Sequence, residues 1–347
     1  MKQGRTLEEV LEEIDRITQQ KEDYVVDTRA MRFEDDQLII PDVRDKGFDL
    51  TDISHRQISE SVGIPAKYYN RMRGNFPELL ETNVNYWFQE TPMRRMVRTL
   101  GDTSRAFLSD RYRRLDNEDL VAAMLPVLGK YPGIHIESCE LSDTRLYIKA
   151  VTDSLQGELA EGDIVYGGVV ISNSEVGWGA LRIEPLIYRL VCKNGLIVPD
   201  YGIRKFHIGR AHQSEEYFSR LSDEAIAADD KAFWLKTRDL LNSTLTEDVF
   251  GKIVGRMVAA KEDEIKADPI SVVERLSKKK GFSLEEQKGV LTNLLANEEL
   301  NRLGLSNAIT RTSQQIENYD RATEFEYMGA DIISMTKTEW KEIAGIN

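Results

Sequence analysis

The sequence predicts an α+β fold: a mostly antiparallel central sheet with an inserted helix, followed by an all-helical C-terminal region. Three observations carry that prediction. Apolar runs that alternate with polar residues and end in turn residues concentrate between residues 93 and 213, the period-two pattern of half-buried strands. One stretch among them, behind Asp116, switches to helical spacing through Leu120, Met124 and Leu128. After Arg210 strand signals stop and capping residues mark one helix after another. The 347 residues divide accordingly into an N-terminal α/β region (1–92), a β-rich core (93–213) and a helical domain (214–347).

Taken in order, Leu7, Val10, Leu11, Ile14 and Ile17 recur at helical spacing behind Thr6, an N-cap with Glu9 three residues on. Tyr24–Val26 and Leu38–Ile40, separated by the acidic turn Glu34-Asp35-Asp36, read as a small β unit. A short helix through Ile58 and Val62 is broken by Gly63, and Pro65 opens a second helix at its first position. That is helix-turn-helix spacing, with Lys67, Asn70, Arg71 and Arg73 on the second helix, although an ordinary helical hairpin has the same spacing.

Met93–Leu100 and Arg105–Asp110 read as a hairpin, and Ile134–Leu141 with Arg145–Val151 as another. Asp163–Asn173, Leu181–Lys193 and Ile203–Ile208 form a third set, with Asn194-Gly195 as its turn signal. Helices are expected at about 214–243, 246–262, 269–280, 284–297, 299–315 and 318–328. Pro269 opens one, Ser283 and Glu286 form a capping box, and Gly281 and Gly304 interrupt the run. Lys278-Lys279-Lys280 suits a helix C-terminus, whose dipole attracts cations.

The net charge is −13, yet two positive islands interrupt the acidic chain. Residues 66–114 hold ten Lys/Arg against five Asp/Glu, and residues 182–214 hold six against two. A protein charged in this way can hold a polyanion at one place while the rest of its surface repels it. No apolar run reaches the roughly 18 residues of a membrane span, and the acidic segment Met1–Asp15 is neither a secretory signal nor a transit peptide. Cys139 and Cys192 are too few for a disulfide framework, so a cytoplasmic protein with two reduced thiols is expected.

His55, His135, His207 and His212 show no metal-ligand spacing, and no metal or cofactor is expected. Gly177-Trp178-Gly179 is not a phosphate loop, and no serine stands in a nucleophile elbow. The reading therefore favours binding over catalysis. Carboxylates brought together from distant positions are the one route to an enzyme it leaves open.

Strand alternation assigns cations to faces. Arg145, Tyr147 and Lys149 share one side of a strand opposite Leu146, Ile148 and Ala150; Arg94 and Arg98 share a side of another, and Arg189 and Lys193 of a third. Were these strands neighbours, they would form a basic face with aromatic interleaving, as a single-stranded nucleic acid requires. Lys67, Arg71, Arg73, Arg105, Arg111 and Arg113 extend the set of candidate phosphate contacts, as do Arg204 and Lys205. Trp178 and Tyr147 are candidate stacking platforms, together with Tyr68, Tyr69 and Tyr112.

Three segments carry a family likeness: RAFLSDRYRRLDNEDL (105–120), ISNSEVGWGALRIEPLIYRLVCKNGLI (171–197) and NAITRTSQQIENYDRATEFE (307–326). They resemble the uncharacterised phage/plasmid-like protein family of bacteriophages, prophages and plasmids, over about residue 24 to the end. The family carries a domain of unknown function, so the resemblance implies a mobile-element setting and no reaction. That setting brings DNA replication, recombination and host takeover to the front, and single-strand annealing recombinases offer a fold-level analogy. The expectation is a non-enzymatic, homo-oligomeric protein that binds or anneals single-stranded DNA. The alternatives are a helix-turn-helix regulator on duplex DNA, or a phage structural or host-takeover factor that binds a protein through the acidic helical region 214–347.

Overall fold

A computed structural model describes residues 1–201, 203–205, 223–297 and 299–345. The chain opens with α1 (Leu7–Gln20), capped by the expected Thr6–Glu9 box, which buries Val10, Ile14 and Ile17. Strand β1 (Lys21–Asp27) follows, then the hairpin β2 (Arg32–Glu34) and β3 (Gln37–Ile39), then β4 (Phe48–Leu50). Helices α2 (Asp52–Ser61), α3 (Ala66–Asn75) and α4 (Pro77–Glu90) come next, and β5 (Arg94–Leu100) and β6 (Thr103–Ser109) complete a first sheet of order β1-β5-β6-β4-β3-β2. All its pairings are antiparallel except β4 with β6.

This sheet corrects one expectation: the hairpin from 94 to 109 belongs to it, beside the strands that hold Tyr24–Val26 and Leu38–Ile39, and not to the central sheet. The reason is a shared core: Tyr24 and Val26 of β1 pack on the cluster that holds Val97 of β5 and Phe107 of β6. Phe33, Phe48, Tyr69 and Phe88 lie in the same cluster, so burial ties the hairpin to the N-terminal elements.

After α5 (Asn117–Leu128), five strands make the second sheet: β7 (Ile134–Leu141), β8 (Leu146–Glu158), β9 (Ile164–Asn173), β10 (Leu181–Arg189) and β11 (Asn194–Ile197). Their order is β11-β10-β9-β8-β7, all antiparallel, and β12 (Ile203–Lys205) also pairs with β10. Asn194 and Gly195, read as a turn, lie within β11; the chain reverses just before them, with Lys193 at φ 51°. The Asn194 amide donates to the Asn307 carbonyl at 3.1 Å, a bond made across the sheet's helical cover and not within a turn.

The all-helical region is α6 (Asp223–Thr244), α7 (Glu247–Ala259), α8 (Pro269–Lys280), α9 (Leu284–Ala296), α10 (Arg302–Thr312), α11 (Tyr319–Ser334) and α12 (Lys337–Ala344). Pro269 stands in the first turn of α8, Gly281 ends that helix at φ 68°, and Ser283 and Glu286 form the capping box of α9. Gly304 does not break a helix. It sits in the first turn of α10, where a Cβ would lie 1.8 Å from the Glu299 carbonyl oxygen, so glycine there serves a close backbone approach. The expected strand end at 206–208 and helix start at 214–222 lie outside the described residues.

One face of the second sheet buries Leu146, Ile148, Ala150, Val169 and Ile171 against α1, α5 and α6. Helix α11 covers the other face, and α7 packs on Val165 and Ile187 through Phe250, Ile253 and Met257. Among the described residues no helix is long and apolar enough to cross a membrane.

Candidate nucleic-acid interface

Alternation assigned the side chains of β8 correctly, but the face it defines is not open. Tyr147 and Lys149 share it, and the registers through Ser172 and Val170 of β9 place Arg182 and Glu184 of β10 alongside them. Helix α11 lies on top. Lys149 is completely buried, its Nζ 2.7 Å from Glu326 Oε2 and 3.2 Å from Thr323 Oγ1, with the Tyr319 ring centroid at 4.5 Å. Tyr147 packs on Tyr319 with ring centroids 5.4 Å apart. The Tyr327 hydroxyl donates to Glu184, and the Arg182 guanidinium stands 5.7 Å from the same tyrosine's ring. Burial pushes the Lys149 ammonium below its ordinary pKa, and Glu326 opposes the shift. The protein's own carboxylate thus occupies the position foreseen for a phosphate.

Three more of the strand cations, Arg145, Arg98 and Arg189, are also committed internally. Arg145 is buried and donates to the Trp178 and Ala180 carbonyls of the β9–β10 loop at 3.3 and 3.2 Å. Arg98 lies in the first sheet, only 3% exposed, and binds Asp23 (2.8 Å), Asp116 (2.7 Å) and the Glu175 carbonyl (3.0 Å). Lys21 pairs with Asp116 at 2.8 Å, Arg105 with Glu175 at 3.3 Å and Arg114 with Asp23 at 3.1 Å. This clasp joins the two sheets. Burial would raise the Asp116 carboxyl, but Arg98 and Lys21 outweigh it and hold the group below the usual carboxylate range. Asp116 makes no side-chain cap on α5 for that reason; the Asn117 N–H instead donates to Glu175 Oε1 at 2.7 Å.

Arg189 forks onto Asp163 at 2.6 and 2.7 Å, and Arg113 lies 3.4 Å from Asp229 and 4.4 Å from the Phe233 ring centroid. Arg94 is exposed opposite Asp27 on β1, while Arg111 and Lys193 are exposed on separate turns. Arg204 and Lys205 fall on β12, with side chains outside the described residues. Among the described residues the continuous groove expected from the sequence does not form, because carboxylates of the chain itself hold Arg73, Arg98, Arg105, Arg113, Lys149 and Arg189.

The helix pair α2–α3 is a different case. Gly63, at φ 68°, allows the four-residue turn 62–65 between them, and Pro65 is the N-cap of α3, one place earlier than expected. Tyr69 and Met72 bury one side of α3, while Lys67, Tyr68, Asn70 and Arg71 are exposed on the other. Arg73 does not reach outward: it holds Asp36 at 2.9 Å and Asp52 at 3.1 Å and so fixes the helix. Beneath it, buried His55 places Nδ1 3.0 Å from the Tyr69 hydroxyl, and burial pushes the imidazole pKa down to about 4.

Sequence reasoning missed the next helix. Leu80, Val84 and Phe88 give α4 its buried stripe, yet Leu79, Tyr86 and Trp87 are exposed, as is Phe76 at the α3–α4 link. Five aromatic side chains are exposed among the described residues: Tyr68 (49%), Phe76 (53%), Tyr86 (56%), Trp87 (38%) and Trp178 (43%). Three of them belong to α3 and α4, and Phe76 to the link between them. Trp178 stands apart, with the Arg56 guanidinium 4.7 Å from its ring centroid. The signal was available in PELLETNVNYWFQE, which carries two apolar stripes where a surface helix needs one.

Among known families, the model described as a domain of unknown function (DUF932) matches residues 106–346. No curated protein and no solved structure matches the chain. The exposed surface of α3 and α4 precedes the matched segment.

Proposed function

The chain belongs to the DUF932 family, whose description carries no activity, and we propose from its own residues that it binds nucleic acid through the α2–α3 pair without catalysing a reaction. The observation that carries this reading is the exposed side of α3, where Lys67, Asn70 and Arg71 surround Tyr68 while most other candidate cations are committed internally. Cations for phosphate and an amide for base edges are the chemistry such a contact needs. A helix held by Arg73 and by a core of Tyr69 and Met72 presents them on a rigid support. The mobile-element setting, which rests on the likeness of the three quoted segments, supports the same reading.

The test is equilibrium binding of the full chain to labelled DNA across a salt series, comparing the natural protein with Lys67→Ala/Arg71→Ala. Loss of both contacts should weaken binding alike for every base sequence and flatten the log–log salt slope by about 1.4 on single strands, roughly 0.7 per phosphate contact. An unchanged affinity and slope would remove α3 from the interface.

A further inference from the structure

Building on the assignment of α3 as the contact helix, we infer that the nucleic acid this surface takes is unpaired, with bases stacked on Tyr68, Tyr86 and Trp87 and phosphates held by Lys67 and Arg71. Folding does not require those rings to face outward, because α4 already has its buried stripe in Leu80, Val84 and Phe88. Large aromatic groups left together on a surface mark a contact site more often than chance exposure does. They are gathered around one junction: the Asn83 side-chain amide meets the Met72 sulfur at 3.9 Å, Tyr68 stands one turn before Met72, and Tyr86 and Trp87 stand one turn after Asn83. The Tyr86 and Trp87 rings meet edge to face with centroids 5.3 Å apart, an arrangement that keeps both exposed.

Charge decides between paired and unpaired partners. Lys67 and Arg71 are the exposed cations of α3, Arg73 is spent on Asp36 and Asp52, and Glu78 and Glu90 are exposed on α4. A duplex binder draws its affinity from many phosphate contacts, and this surface supplies few. Stacking needs only an open ring and is worth roughly 5- to 150-fold in affinity per base. A surface rich in rings and poor in net charge suits bases that are already unstacked, with a shallow dependence on salt.

The experiment measures fluorescence anisotropy of labelled oligothymidine and of a mixed-sequence duplex of equal length, with the full chain over a salt series. The expected result is tighter binding of oligothymidine, a log–log slope near −1.4 from about two contacts, and a loss of roughly tenfold or more in Tyr86→Ala/Trp87→Ala that Tyr86→Phe/Trp87→Phe largely restores. Tyr68→Ala, on the other helix, repeats the test should the α4 pair fail to fold. Preference for the duplex, with sensitivity to Lys67 and Arg71 but not to the rings, would overturn the inference and leave nucleic-acid binding standing. Binding of neither DNA would overturn both, and a dimer in sedimentation that Tyr86→Ala/Trp87→Ala disperses would then assign the surface to a second copy.

Discussion

Two surfaces of this molecule built from tyrosines and cations have opposite fates. On the second sheet, Tyr147, Lys149 and Arg182 lie under α11, where Glu326, Tyr319 and Tyr327 meet them. On α3 and α4, Tyr68, Tyr86, Trp87, Lys67 and Arg71 stay at the surface, and among the described residues neighbouring carboxylates take only Arg73. The residue types are the same; the difference is whether the chain supplies an acidic helix to cover them. A basic, aromatic pattern in a sequence therefore identifies material for an interface, and the distribution of the chain's own Asp and Glu decides whether that interface is internal.

The largest expected effect lies on the covered side. Removing Glu326 leaves the fully buried Lys149 without its counter-ion, a change that costs about 3–5 kcal/mol. Glu326→Ala should lower the urea midpoint accordingly, while Lys149→Met/Glu326→Leu, which replaces the pair by apolar groups, should cost far less. The exposed cations give the contrast: Lys67→Ala and Arg71→Ala should each fall within about 0.5 kcal/mol of the natural protein. A loss under about 1 kcal/mol in Glu326→Ala would break the distinction between the two surfaces.

A pH dependence tests the packing beneath α3. The His55 pKa is pushed from its ordinary 6.5 down to about 4 by burial, with Asp36 opposing. The unfolded chain therefore takes up a proton at this residue before the folded one does, and the stability from keeping it neutral is complete above pH 6.5 and lost as pH falls toward about 4. The shift corresponds to about 3 kcal/mol at most. Unfolding free energy measured between pH 7 and 4 should fall more steeply in the natural protein than in His55→Gln. Equal slopes would show that His55 does not hold the α2–α3 unit through its neutral form.

Much of the fold was legible because its signals are local. Thr6 with Glu9, Ser283 with Glu286 and Gly281 act within one turn of helix, and each cap stands where the sequence put it. Alternation likewise placed Tyr147 and Lys149 on one face. What could not be read was long-range. That β5 joins the first sheet depends on a core assembled from Phe33, Phe48, Phe88 and Phe107, and that Glu326 meets Lys149 depends on packing between residues 177 positions apart. Period-two patterns tell which face a side chain takes, not what covers it. The candidate site was half legible. Lys67 and Arg71 stood out in a basic island, but Tyr86 and Trp87 lie in a stretch that has neither strand alternation nor a single cation to mark it.

The smallest expected effect makes the sharpest comparison, because it sets two residues of one helix against each other. Phe88 is 1% exposed and stacks on Phe107 with centroids 5.9 Å apart, so Phe88→Ala should cost about 3–5 kcal/mol through lost burial and a cavity. Tyr86, two residues earlier and 56% exposed, points away from that core, and Tyr86→Ala should change stability by no more than about 0.5 kcal/mol. Both are read from the same urea titration. If losing Tyr86 costs as much as losing Phe88, the outward ring belongs to the fold and the argument for a stacked ligand goes with it. If the ring can be removed with no loss of stability while oligothymidine binding falls, then α4 carries one apolar stripe for its own core and a second for a partner.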